Sequence, residues 1–165
     1  MNLQRISKIL ENRDDLTINE VVLDTAQKKG QIIYGARAYN SQSPQFLKKK
    51  TFDYDILTKK PKKSAKEVAE RLSRRLGKDV RVVKGSHKGT YRLKLNGETI
   101  IDYTQLKSAP KTKKVWGNKV RSLSSIKRNT QRLLKKEKAK YRRDKDLDTL
   151  KRIKEIERIE ESFNI

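Results

Sequence analysis

The chain has 165 residues, 33% hydrophobic and 38% charged, which suits one domain with a small core and an appendage. Its 43 Lys and Arg residues against 20 Asp and Glu residues give a formal net charge of +23, which favours a polyanionic partner, nucleic acid rather than a membrane surface. The lack of cysteine excludes disulfides and thiolate metal sites, and the lack of a long apolar run predicts a soluble, intracellular protein without a membrane partner.

The N-terminal part of the chain predicts two helices. The first is short and amphipathic, with apolar residues at helical spacing, namely Leu3, Ile6, Ile9 and Leu10. Thr17, followed by Glu20 three residues later, predicts the N-cap of a second helix that ends at Gly30.

A strand, a glycine and a helix follow in direct succession. Residues 31–34 are β-prone, Gly35 ends the run, and residues 36–40 predict the start of a helix. A turn of this kind aims backbone N–H groups at one point, which suits a phosphate. A polar, basic loop then leads to a predicted strand over residues 51–57.

Asp53 and Asp55 lie two residues apart in that strand, so both side chains leave the same face. Two carboxylates this close raise each other's pKa unless a cation lies between them. Two interpretations stay open at this point, a bound divalent metal and the solvated face of an edge strand.

The next segment completes a mixed sheet. Ser64 predicts the N-cap of an amphipathic helix that ends at Gly77, and three strands follow over residues 80–83, 90–95 and 99–103. Asn96-Gly97 is a strong hairpin signal between the last two strands. Asp102 lies within an apolar stretch of the third strand, where an unpaired carboxylate is costly to bury. Together with Asp53, Asp55 and the glycine turn, it favours one metal site.

Residues 1–106 are therefore predicted to form an α/β (α+β) core, a small mixed β-sheet flanked by helices. Residues 107–121 predict a flexible basic loop, and residues 122–165 a basic C-terminal helical extension. Between Lys107 and Arg143 there are fifteen Lys and Arg residues and one acid, Glu137, which favours contact with a polyanion over a solvated face. The candidate nucleic-acid-binding residues are Lys119, Arg121, Lys127, Arg128, Arg132, Arg142 and Arg143. A last helix from about Asp144 has an apolar stripe that could pair with a partner subunit or a second copy.

The ordered combination of motifs resembles the nucleotidyltransferase superfamily, which includes DNA polymerase beta, tRNA CCA-adding enzymes and poly(A) polymerases. More narrowly, it is similar to the small nucleotidyltransferases and poly(A) polymerase catalytic subunits of large DNA viruses. The resemblance runs from about Gln31 to Ile153 and rests on YGARAYN, DYDIL, SAKEVAERLSRRL, HKGTYRLKLNGETIIDYTQ and YRRDKDL.

The resemblance implies roles for individual residues. Asp53 and Asp55 would bind two Mg²⁺ ions, with Mn²⁺ as a substitute, and Asp102 would complete the catalytic metal site and help to deprotonate the acceptor hydroxyl. The nucleoside triphosphate, ATP among them, would be held by Gly35, Ala36, Arg37 and Lys145. The family usually has Gly-Gly or Gly-Ser where this chain has Gly35-Ala36.

Three other residues leave alternatives open. Trp116 either stacks on a base or anchors its loop to the core. His87 is either a surface residue or a phosphate contact, and Arg37 either touches substrate or caps a carboxylate.

The sequence thus predicts a metal-dependent nucleotidyltransferase that adds a nucleoside monophosphate to the 3′ hydroxyl of RNA or DNA, with RNA favoured, in the cytoplasm or a viral particle. The alternative is a catalytically degenerate nucleic-acid-binding structural protein with the same fold, motivated by the net charge, the Gly35-Ala36 turn and the short length. Transfer to a protein or a small molecule ranks third, because such enzymes have no need of so much positive charge.

Overall fold

The computed structural model describes residues 3–163, with the side chains of residue 4 and residues 13–163. The elements are α1 (Leu3–Lys29), β1 (Ile32–Tyr34), α2 (Gly35–Ser41), β2 (Tyr54–Thr58), α3 (Pro61–Leu76), β3 (Val80–Lys84), β4 (Thr90–Leu95), β5 (Glu98–Gln105), β6 (Thr112–Val115), β7 (Asn118–Arg121), α4 (Leu123–Leu134) and α5 (Arg143–Phe163), with 3₁₀ turns at Gln45–Leu47 and Glu137–Arg142. The seven strands form one mixed sheet in the order β3-β4-β5-β2-β1-β7-β6. The predicted α/β (α+β) fold with a mixed sheet is confirmed.

The two faces of the sheet have different chemistry. Alternate strand residues, among them Ile33, Ile56, Leu93 and Ile101, form a buried core with residues of α1 and α3. Each such side chain contributes about 1.5–3 kcal/mol through removal from water. The residues between them point to the opposite face, so the polar side chains of the central strands lie together there.

The N-terminal region forms one helix instead of the two predicted. Residues 3–29 contain no Pro or Gly to interrupt α1, and the Thr17 hydroxyl donates to the carbonyl of Arg13 within the helix rather than capping a new one. The predicted apolar face of Leu3, Ile6, Ile9 and Leu10 lies outside the described side chains.

α3 begins at Pro61, earlier than the predicted cap at Ser64. Proline is favoured in the first turn of a helix because its missing N–H has no intrahelical partner there. Ser64 is buried instead and accepts a hydrogen bond from Gln31 Nε2 at 3.1 Å, which ties α3 to the chain just before β1. The predicted end at Gly77 is confirmed, with φ at +63°.

The prediction of a flexible loop over residues 107–121 is wrong, because β6 and β7 form a hairpin there. β7 pairs in parallel with β1 and antiparallel with β6, so this basic segment extends the sheet. Buried Val120 joins the core. Lysine or arginine occupies four of the other seven strand positions, which is why the apolar alternation typical of a strand is not visible in the sequence.

The C-terminal segment consists of two helices, separated by the 3₁₀ turn at Glu137–Arg142. α4 begins after Ser122, whose hydroxyl accepts from the N–H of Ser125, and it ends at Leu134. Within α5, Ile153 and Ile156 are buried against Tyr39, so part of the stripe predicted to pair with a partner packs within the chain. Across residues 3–163, every helix is too short or too polar to cross a membrane.

Candidate active site

Three carboxylates converge on the polar face of the sheet. Asp55 on β2 and Asp102 on β5 are directly adjacent across the parallel pairing, and Asp53 immediately precedes β2. The ligand oxygens of Asp53, Asp55 and Asp102 all lie within 4.8 Å of one another, and the three side chains are partly buried. Hard divalent cations prefer an oxygen set of this kind.

Gly35 lies directly against Asp55. A Cβ atom at position 35 would be 2.2 Å from Asp55 Oδ2, and the backbone has φ of +66°. Both features require glycine, because side chains disfavour the left-handed conformation and no side-chain atom fits the space. The turn between β1 and α2 therefore brings backbone N–H groups next to the carboxylates.

Asp55 has the most perturbed carboxyl group among the described residues. Burial raises its pKa to about 7, and the negative charges of Asp53 and Asp102 add to the effect. Lys145 and Arg92 act in the opposite direction. Burial and the two neighbouring carboxylates thus both disfavour the charged form of Asp55, which is the condition that a cation bound among the three acids would relieve.

Arg92 is a residue of the site that the sequence did not predict. Its guanidinium donates to both oxygens of Asp102, at 2.8 and 2.9 Å, from the neighbouring strand β4. A two-residue hairpin at Asn96-Gly97 would pair residue 92 with residue 101. A bulge shifts the register between Leu93 and Lys94, so Asp102 instead lies opposite Arg92 and both side chains are on the polar face.

The carboxylates line a cleft of about 600 Å³ beneath the start of α5. Lys145 and Thr149 of α5 line it together with Lys49, which donates to the Thr149 hydroxyl. Burial lowers the pKa of Lys49. A smaller cavity of about 150 Å³ near Leu134 shares none of its lining residues with this cleft.

No protein-family model matches the sequence, and no curated protein matches it. Among solved structures, the chain is similar to the Megavirus polyadenylate synthase, with a TM-score of 0.74 and 20% identity over 84% of this chain. This chain has a nucleotidyltransferase-like fold. It spans 30% of the length of the Megavirus protein. An antigenic nucleotidyltransferase-like protein from Paracoccidioides brasiliensis matches with a TM-score of 0.46 and 16% identity, over 82% of this chain and 74% of its own.

The side chain of Arg37, a residue of α2, reaches the backbone just before β2. Its guanidinium donates to the carbonyl oxygens of Phe52 at 2.9 Å and Asp53 at 3.3 Å, and stacks 4.2 Å from the ring of Tyr54. These contacts fix the backbone that carries Asp53. A contact of Arg37 with nucleotide stays a prediction, as does one of Ala36, which lines the cleft with Gly35.

The predicted nucleic-acid-binding residues divide into three groups. Arg121 on β7 and Arg142 before α5 line the cleft, where Arg142 is paired with buried Asp146 at 3.1 Å. Lys127 instead bridges α4 to Glu157 of α5 at 2.8 Å. The remaining members are exposed, namely Lys119, Arg128, Arg132 and Arg143.

His87 and Tyr34 complete the description of the polar face. His87 is exposed and lines the cleft rim, so both interpretations of it remain. Tyr34, next to Asp55 in the sheet, shares a hydrogen bond of 3.0 Å with the Thr104 hydroxyl, which in turn meets that of Thr90 at 2.9 Å. Burial raises the pKa of Tyr34 to about 12, so this phenol stays neutral beside the carboxylates.

Proposed function

We propose that the chain is a metal-dependent nucleotidyltransferase that transfers a nucleoside monophosphate from a nucleoside triphosphate to the 3′ hydroxyl of a nucleic acid, with RNA favoured. The observation that carries the proposal is the convergence of Asp53, Asp55 and Asp102 within 4.8 Å, beside the glycine turn and in a cleft that also contains lysine and arginine side chains. In such a cleft the carboxylates can hold the metal ions that accompany a triphosphate, and the lysine and arginine side chains can contact its phosphates.

The donor set fits divalent magnesium. All three ligand groups are carboxylates, and Asp102 keeps lone pairs for a metal even while it accepts from Arg92. Asp53, Asp55 and Asp102 would hold the ions. When bound, Mg²⁺ neutralises phosphate charge and stabilises the attacking and leaving oxygens.

The residues of the chain supply orientation and proton transfer. Backbone N–H groups after Gly35 and the ammonium groups of Lys49 and Lys145 would hold the triphosphate. The 3′ oxygen of the acceptor attacks the α-phosphorus, the new P–O bond forms as the bond to pyrophosphate breaks, and Asp102 takes the hydroxyl proton. Arg92 fixes the orientation of Asp102 through two hydrogen bonds, which makes it a positioning residue.

The test is incorporation of a labelled nucleotide into an RNA oligomer with Mg²⁺, with a Asp53→Ala, Asp55→Ala variant. We expect incorporation to fall to background in this variant, because the remaining carboxylate cannot hold the metal alone. Asp79→Asn is the control, since Asp79 is exposed and pairs with Arg81 outside the cleft. Unchanged incorporation in the double variant would overturn the proposal.

One observation favours a second function, a nucleic-acid-binding structural protein without catalysis. The bidentate pair between Arg92 and Asp102 already neutralises one carboxylate of the site. Titration with a nonhydrolysable nucleoside triphosphate, with and without Mg²⁺, separates the two functions. Magnesium-dependent binding that the double variant loses supports the enzyme, whereas RNA binding without any triphosphate binding supports the structural protein.

A further inference from the structure

Trp116 is exposed in a way that the fold itself does not explain. It is the single tryptophan of the chain, and its side chain is 96% exposed at the tip of the β6–β7 hairpin. The alternative that it anchors this segment to the core is therefore wrong. A single exposed aromatic is common on protein surfaces, so the backbone conformation and the neighbours of Trp116 decide whether it marks a binding site.

The hairpin turn makes the choice of tryptophan more unusual. Trp116 and Gly117 have φ of +51° and +80°, and Asn96 and Gly97 in the β4–β5 hairpin have φ of +53° and +79°. The two turns thus have the same left-handed backbone, for which Asn-Gly is the favoured sequence. At residue 116 a bulky side chain occupies a conformation that it disfavours, as is common at functional sites.

Lysines surround this tryptophan without compensating acids. Lys114 and Lys119 are directly opposite each other in the β6–β7 pairing, and both are exposed. Like charges at opposed positions destabilise a hairpin. Within residues 13–163, neither lysine forms an ion pair. A polyanion would relieve this repulsion.

The sheet register connects the hairpin to the carboxylates. Lys119 is adjacent to Ile32, two residues before Tyr34, which is adjacent to Asp55. Side chains two residues apart share a face, so Lys114, Lys119 and Arg121 lie on the face that carries the acids. β7 lies two strands from β2, roughly 10 Å at the usual strand spacing.

We propose that the β6–β7 hairpin binds a single strand of RNA, with Trp116 stacked on an unpaired base and Lys114 and Lys119 against the phosphates. The identification of this RNA as the acceptor rests on the proposed function. A single strand is favoured over a duplex because only unstacked bases offer their faces to an indole. The strand would run along the hairpin past Arg121 into the cleft.

The first experiment measures binding of a 5′-labelled oligoadenylate RNA by fluorescence anisotropy, with EDTA and without nucleotide. Trp116→Asn is expected to weaken binding by roughly 5- to 150-fold, which corresponds to about 1–3 kcal/mol for one stacked base. Trp116→Phe should retain much of the affinity. Because asparagine suits the turn, Trp116→Asn should unfold at the same temperature as the wild type or higher, so the loss cannot be attributed to misfolding. Unchanged affinity in Trp116→Asn would overturn the proposal.

A double variant, Trp116→Asn with Asn96→Trp, is the matched control. It keeps the composition and moves the indole to the equivalent turn of the other hairpin. We expect it to bind as weakly as Trp116→Asn, and recovery of wild-type affinity would overturn the assignment to this hairpin. In the wild type, the RNA should quench the fluorescence of the single tryptophan, and an unchanged spectrum at saturation would overturn stacking.

The lysines are tested by the salt dependence of binding. Lys114→Gln with Lys119→Gln should reduce the slope of log affinity against log salt by about 1.4, at about 0.7 for each contact to a single strand. Lys62→Gln with Lys66→Gln removes the same charge from the exposed surface of α3, on the other side of the sheet, and should leave the slope unchanged. Equal effects of the two pairs would overturn the phosphate contacts.

Two further binding measurements identify the kind of nucleic acid that the hairpin binds. A duplex of the same sequence should bind more weakly than the single strand, and equal binding that is insensitive to Trp116→Asn would overturn the proposal. Tighter binding of the matching DNA strand would overturn the assignment to RNA. These mixtures contain neither metal nor nucleotide, so they measure RNA binding separately from catalysis. A protein without transferase activity can still bind RNA through the hairpin, and an active enzyme can lack this binding.

Discussion

At the scale of single residues, Asp55 couples the chemistry of the site to the stability of the protein. Its pKa is raised from an ordinary 3.8 to about 7, chiefly by burial. Between about pH 4 and pH 7, the Asp55 carboxyl group therefore keeps its proton in the folded state and loses it in the unfolded chain. By linkage, the free energy of unfolding falls as the pH rises from about 4 to about 7 and is then constant with respect to this group.

We predict that Asp55→Asn stabilises the metal-free protein at neutral pH. The gain should be on the order of a few kcal/mol, at about 1.36 kcal/mol per pKa unit, and it should shrink towards pH 4. Denaturant unfolding in EDTA at several pH values measures it. The exposed Asp79→Asn variant is the control, and a variant less stable than the wild type at neutral pH would contradict the prediction.

We also predict that Gly35→Ala destabilises the protein more than the same substitution at Gly77. Gly35→Ala should lose about 1–2 kcal/mol for the left-handed backbone and a further amount for the contact with Asp55. Gly77 has φ of +63° with no atom within 4 Å of an added Cβ, so Gly77→Ala isolates the backbone cost. Thermal unfolding compares the two variants, and equal losses would mean that the contact at Asp55 relaxes freely.

At the scale of elements, local signals predicted part of the site. The glycine turn and the Asn96-Gly97 hairpin each depend on a few neighbouring residues, and the structure contains both. The strand predicted over residues 51–57 begins only at Tyr54, so Asp55 lies in β2 and Asp53 precedes it. The three acids and the glycine turn together predicted one metal site, but the proximity of Asp102 to Asp55 depends on the parallel pairing of β2 with β5, two strands that lie far apart in the sequence.

Elements that depend on distant pairing were harder to predict. Whether Asp102 lies on the same side of the sheet as Arg92 is decided by the bulge in the β4–β5 pairing, and residue types alone do not mark that bulge. The strands β6 and β7 are stabilised by pairing with β1, while their own lysines and the Trp116-Gly117 turn conceal the usual hairpin signal. The placement of Lys145 at the cleft was available only through the resemblance.

At the scale of the whole molecule, the net charge of +23 opposes the compact state through self-repulsion. We predict that the melting temperature rises from low to moderate NaCl concentration, because salt screens charges further apart than about 10 Å at 0.1 M. Exposed ion pairs such as that of Arg75 with Glu20 are weakened by the same salt, but solvent already screens them strongly, so their contribution to stability is small. Differential scanning fluorimetry over a salt series measures the effect, and a falling melting temperature would contradict it.

The parallel pairing of β1 with β7 also has a consequence for synthesis on the ribosome. β1 can pair with β2 soon after both emerge, since a short segment separates them, but its other edge has no partner until residues 118–121 have emerged. Closing so long a loop is slow, and an unpaired strand edge in a nascent chain invites pairing with other chains. The cleft and the hairpin are therefore completed late, and in a translation product that stops before β7 the strand β1 is an exposed edge of the sheet.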